Sequence, residues 1–117
     1  MTTIKRIVPD IKASDLPASR AFYTEVLGLQ VAMDMNFIVT LVSPNNPILQ
    51  ISLIGEEPSG LTPQVSVEVG DVDEVHSRAQ ACRAEIVYPL TTEPWGVRRF
   101  FVRDPDGTII NVLSHTR

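Results

Sequence analysis

Cysteine and histidine are scarce in this chain. Its 117 residues include one Cys (Cys82) and two His (His76 and His115). A single Cys closes no internal disulfide, and three such side chains make no zinc finger. Positive charge is short too: 10 Lys and Arg stand against 14 Asp and Glu, a net charge of −4. A general nucleic-acid binder needs a basic surface to neutralise phosphates, so that class is excluded. No segment approaches the roughly 18 apolar residues of a membrane span. Met1 to Ile7 carries two charges with no uninterrupted apolar run behind them, so it does not read as a signal peptide. The lone Cys82 fits a reducing compartment, and the expectation is a cytoplasmic protein with no membrane partner. Gly-x-Ser-x-Gly, His-Glu-x-x-His, Cys-x-x-Cys and phosphate-loop motifs are all missing. What is present is 44% hydrophobic and 21% charged sequence. At this length a domain hides about two-thirds of the surface its unfolded chain exposes. Residues 1–117 therefore read as one globular domain, neither disordered nor fibrous.

Periodicity divides that domain into two similar halves. Residues 4–11 read as a strand with Pro9 marking an edge or a bulge. A helix follows, capped by Ser14 or Asp15, with Pro17 in its first turn and Gly28 past its end. Leu16, Tyr23 and Val26, with Phe22 and Leu27 beside them, form its apolar stripe. Strands are predicted over 30–33, 37–42 and 48–54, separated by turn-forming residues. The first half thus spans about 1–55, a linker covers 55–63, and the second half runs over 64–117. There a strand at 64–69 leads to a helix capped by Asp71, with Val72, Val75, Ala79 and Cys82 as its stripe. A displacement of 56 residues lays Leu16, Ser19, Tyr23 and Val26 onto those four positions. Strands at 85–88, 97–103 and 108–114 complete the plan, the last two joined by Asp104-Pro-Asp-Gly107 as a type I turn with a bulge. Each half is strand, helix and three strands, an α+β arrangement with the helices on one side.

Alternation along the strands separates an apolar face from a semi-polar one. Val65, Val67 and Val69 oppose Gln64, Ser66 and Glu68; Leu49, Ile51 and Leu53 oppose Gln50 and Ser52; Asn111 shares a face with Ile109 and Leu113. The semi-polar face either meets solvent, as antiparallel sheets commonly do, or lines a ligand cleft if the sheet curves.

Two phrases carry a family likeness: DLPASRAFYTEVLGL near the start and EPWGVRRFFVRDPDGTIINVLSH near the end. Together they resemble the vicinal oxygen chelate superfamily of glyoxalase I, bleomycin-resistance proteins and extradiol dioxygenases, over essentially the whole chain. The resemblance implies two βαβββ modules with curved mixed sheets enclosing a cleft, helices on the outer faces, and usually a homodimer. It also implies metal ligands, usually His and Glu, on the first and last strands of each half. Those positions fall at Val8, Gln50, Gln64 and Asn111. Val8 binds no metal, and three neutral amides are poor substitutes for imidazole or carboxylate. Some family members do use one Gln ligand, but a set of four without charge or ring nitrogen points to no metal and no other cofactor.

The candidate ligand-binding residues are accordingly Asp10, Gln50, Ser52, Gln64, Ser66, Glu68, Trp95, Arg98 and Asn111. Trp95, in a Pro-Trp-Gly loop, is either a structural plug or an aromatic wall for a flat or cationic guest. Arg98 and Arg99 emerge on opposite faces of one strand, and the resemblance singles out Arg98. Glu68 either pairs with such an Arg or meets a cationic guest; the bland alternative is a surface ion pair. His76 is expected near the surface of the second helix, His115 as a frayed terminal group, and Cys82 as a small core residue. Three functions follow: a metal-free binding protein of the bleomycin-resistance type; a metal-dependent lyase, isomerase or dioxygenase with unconventional ligands; or a metal-free isomerase or epimerase using Glu68 or Asp10 as base.

Overall fold

The computed structural model describes residues 2–116. In chain order the elements are β1 (Ile4–Lys12), α1 (Leu16–Val26), β2 (Gln30–Asp34), β3 (Ile38–Ser43), β4 (Asn46–Ile54), β5 (Val65–Val69), α2 (Val72–Ala81), β6 (Glu85–Thr92), β7 (Val97–Arg103) and β8 (Ile109–His115). This is the expected α+β fold of two βαβββ modules. Two compact units divide it: Val8–Thr62, and Met1–Ile7 with Pro63–Arg117.

In the first unit the strand order is β2-β3-β4-β1, with β1 parallel to β4 and the other pairs antiparallel. Asp15 is the N-cap of α1, its carboxylate accepting from the Ala18 amide at 3.1 Å. Pro17 falls in the first turn, and Gly28 follows the C-cap Leu27 at φ +72°, a conformation that glycine adopts without strain. Leu16 and Tyr23 pack on a core of Val39, Leu41 and Leu53. Phe22, Val26 and Leu27 do not join it; all three are more than half exposed, Val26 as the last residue of the helix and Leu27 as its C-cap.

The second unit repeats the arrangement with order β5-β8-β7-β6, β5 parallel to β8 and the rest antiparallel. Asp71 caps α2 through the Glu74 amide. Val75 and Ala79 pack on a core of Val69, Val72, Phe100 and Val112. His76 is half-buried rather than superficial, its ring edge-on to Phe100 with centroids 5.0 Å apart. Cys82 is not a core residue: α2 ends at Ala81, and as the C-cap it turns to solvent. The fourth position of the repeated stripe is thus exposed in both helices. β6 runs past Pro89 to Thr92, longer than its apolar pattern predicts, because register shifts between Ile86 and Thr91 absorb the proline. At the β7–β8 connection the Asp104 carboxylate accepts from the amides of Asp106 and Thr108, both at 2.9 Å, and Gly107 takes φ +91°. That is the expected bulged type I turn.

Candidate functional site

In each unit the helix covers one sheet face, and the opposite face carries the polar residues. In the first unit a row crosses three neighbouring strands: Asp10 on β1 stands opposite Ser52 on β4, and Ser52 opposite Thr40 on β3. All three are buried. Thr40 was not legible beforehand, since only the strand register places it beside Ser52. Gln50 shares this face by alternation, but its amide nitrogen donates to the Pro47 carbonyl at 2.8 Å.

The second unit has the matching row. Ser66 on β5 stands opposite Asn111 on β8, and Asn111 opposite Phe101 on β7. Asn111 Nδ2 donates to Ser66 Oγ at 3.0 Å, while Asn111 Oδ1 is buried with no hydrogen-bond partner among the described residues. By register Asn111 corresponds to Ser52, not to Gln50. Gln64 lies at the exposed start of the strand, bonded to the main chain of Ile109 through its own amide nitrogen and its Oε1.

Glu68 is clamped by two groups. Arg6 Nε donates to Oε1 at 2.6 Å, and His115 Nδ1 lies 2.7 Å from Oε2. His115 is therefore tethered rather than frayed. Burial pushes the Glu68 carboxyl up, but hydrogen bonds from His115 and Arg6, with their charge, outweigh it and hold the group below its ordinary value. A general base wants the opposite shift. Glu68 is thus poorly suited to abstract a proton.

The two neighbouring arginines of β7 separate sharply. Arg98 is on the helix side, where Nη2 and Nε reach the Asp73 carboxylate of α2 at 2.8 and 3.1 Å, and Nη1 donates to Thr92. Those hydrogen bonds hold Asp73 below its usual value. Arg98 therefore does not share a face with Ser66 and Asn111; Arg99 does, and it is buried. Arg99 Nε donates to Glu93 Oε2 at 2.7 Å, and the Tyr88 hydroxyl donates to the same oxygen at 2.8 Å. The guanidinium carbon lies 5.1 Å from the ring centres of Tyr88 and Trp95 and 4.8 Å from that of Phe101. Trp95 is thus held as a wall around the protein's own cation. The signal for Arg99 was parity: Phe100 and Val102 pack toward α2, which sends Arg98 the same way and Arg99 the other.

The donor set does not suit a metal. Val8 offers no donor atom, Gln50 and Gln64 are engaged with main-chain groups, and Asn111 has one carbonyl oxygen to give. Among the described residues no group of three or more His, Cys, Asp or Glu is placed to hold an ion. A separate groove of about 770 Å³ in the first unit runs beside Lys12, Ser14, Asn36 and Glu56 and includes none of the candidate residues.

Fold and faces together define a paired-module α+β protein with a semi-polar sheet face in each module. The chain belongs to the glyoxalase/bleomycin resistance protein/dioxygenase superfamily, whose family model matches residues 3–112. Among solved structures it is similar to an NAD-dependent benzaldehyde dehydrogenase from Legionella pneumophila, at 21% identity over 94% of this chain and 99% of that one, TM-score 0.77. A superfamily member from Vibrio splendidus 12B01 is 22% identical over 96% and 99% of the two chains, TM-score 0.72. Methylmalonyl-CoA epimerase from Mycobacterium tuberculosis is 18% identical over 97% and 88%, TM-score 0.74. At these identities the similarity is one of fold. A comparison with curated proteins finds no match. No helix among the described residues is long and apolar enough to cross a membrane.

Proposed function

We propose that this protein binds a small organic molecule on its semi-polar sheet faces without chelating a metal, in the manner of the bleomycin-resistance branch of its superfamily. The donor set carries the reading: the strand positions that the resemblance assigns to metal ligands hold Val8, Gln64 and Asn111, and the register puts Ser52 in the fourth place, so none carries a charge or a ring nitrogen. Asn111 Oδ1 supports it from the ligand's side. A buried carbonyl oxygen without a partner costs about 1–3 kcal/mol, and an N–H or O–H of a guest would supply the missing bond. Ser66 and Asn111 in the second unit, and Asp10, Ser52 and Thr40 in the first, are the anchors proposed. A homodimer completes the proposal, and the exposed Phe22, Val26 and Leu27 of the first unit suit a face that a second copy covers.

Two measurements test the reading. Calorimetry against a broad panel of small molecules should find a guest whose affinity falls at least about tenfold in Asn111→Ala; no binding across the panel would count against it. Elemental analysis of protein purified without chelators or metal-affinity tags should find no stoichiometric divalent ion. One ion per chain, lost in Asn111→Ala, would favour the metal-dependent lyase, isomerase or dioxygenase instead.

A further inference from the structure

The β6–β7 hairpin builds a small enclosure from its own residues. Tyr88 comes from β6, Glu93 and Trp95 from the connecting loop, and Arg99 and Phe101 from β7. The loop is closed by the Glu93 amide donating to the Val97 carbonyl at 2.7 Å, and Gly96 takes φ +94°. One carboxylate oxygen and three aromatic rings surround a single position, and the Arg99 guanidinium occupies it. Rings within about 6 Å of a cation attract it through their quadrupoles, more strongly where water is excluded. Here the exposure of Arg99 and Glu93 side chains is only 5% and 8%. This is the chemistry of a receptor for an organic cation.

We propose that Tyr88, Glu93, Trp95 and Phe101 form a cation-binding box that the chain fills with its own Arg99, and that Arg99 thereby sets the charge preference of the face. The consequence for the guest rests on the reading of that face as the ligand surface; the box itself does not. On the second unit's face two buried or half-buried carboxylates could have attracted a cationic guest, and each already holds a cation: Glu93 has Arg99, and Glu68 has Arg6, with His115 Nδ1 against its other oxygen. An incoming cation meets satisfied carboxylates and a ring wall already covered. The face therefore takes neutral or anionic guests that donate a hydrogen bond to Asn111.

The test uses chemical substitution for the missing side chain. Trp95 is the single tryptophan of the chain, so its fluorescence reports on the box alone. In Arg99→Ala, methylguanidinium at sub-denaturing, millimolar concentration should produce a saturable change in Trp95 emission and a rise in Tm, relative to sodium chloride at equal ionic strength. Wild type should respond at least about tenfold more weakly, and Arg99→Ala with Glu93→Gln should not respond. If Arg99→Ala does not fold alone, Arg99→Ser carries the same titration, and recovery of far-UV circular dichroism by methylguanidinium counts as occupancy. No saturable response or recovery in either variant overturns the box, as does an equal response in wild type. Wild type is then titrated with a series of analogues alike in shape but cationic, neutral or anionic. Cationic members binding best would overturn the charge preference while leaving the binding function intact. No member binding would sink the binding function and leave the methylguanidinium result standing.

Discussion

Arg99 donates to Glu93 at 2.7 Å with both side chains almost sealed from solvent. Such a pair is not a strong source of net stability, because desolvating two charges cancels most of their attraction. Removing one partner is different, since it strands the other. Glu93→Ala should lower the unfolding free energy by about 3–5 kcal/mol. It also leaves the Tyr88 hydroxyl without its acceptor. Tyr88→Phe alone should cost only about 0.5–1.5 kcal/mol, the value of one hydrogen bond. Urea unfolding of the two variants measures both, and a Glu93→Ala cost below that of Tyr88→Phe would contradict the pairing.

Glu68 should make stability depend on acid. Its folded pKa lies below its unfolded one, so its contribution is complete above the ordinary carboxylate value. That contribution is lost as pH falls through the folded value. The difference in Tm between wild type and Glu68→Gln should therefore be fully present above the ordinary carboxylate range and close as pH is lowered through and below it. A difference that widens on acidification would reverse the assigned direction.

Local chemistry made much of this fold readable from sequence. Asp15 and Asp71 as caps, Gly28 past a helix end and the Asp104–Gly107 turn each depend on neighbours within a few residues. The candidate residues that were harder to place depend on pairing across the chain. Arg6 meets Glu68 at a separation of 62 residues, and only the β5–β8 register sets Ser66 against Asn111. Arg98 and Arg99 are followed by two phenylalanines, so apolar alternation, the usual guide to a strand's faces, is blurred where it was needed. Glu93 lies outside a strand, where no periodicity announces that a carboxylate will turn inward.

Cys82 offers a direct check on where α2 ends. As an exposed C-cap residue, followed by Arg83 at φ +57°, it should be available to solvent without any unfolding. A thiol reagent such as dithionitrobenzoate should modify one equivalent per chain in the native state, at a rate close to that seen in denaturant. Circular dichroism should be unchanged afterwards. Protection that disappears only in denaturant would return Cys82 to the helix-packed core.

Asn111 is where stability and binding should part. Its Oδ1 is buried without a partner, and its Nδ2 is held by Ser66. Replacing a partly satisfied amide by an apolar group of similar shape removes the desolvation cost together with the single bond. Asn111→Leu should therefore be neutral to stability or raise it by up to about 1 kcal/mol. If that oxygen is kept for a guest, the same change should weaken guest binding at least about tenfold, a stabilising substitution that costs function. Arg98→Ala supplies the contrast: its partners are the exposed Asp73 and Thr92 on the helix side, so binding should not change. Chemical denaturation and calorimetry on the two variants read both quantities. Asn111→Leu that loses stability while retaining its guest would show that the amide serves the fold instead of the ligand.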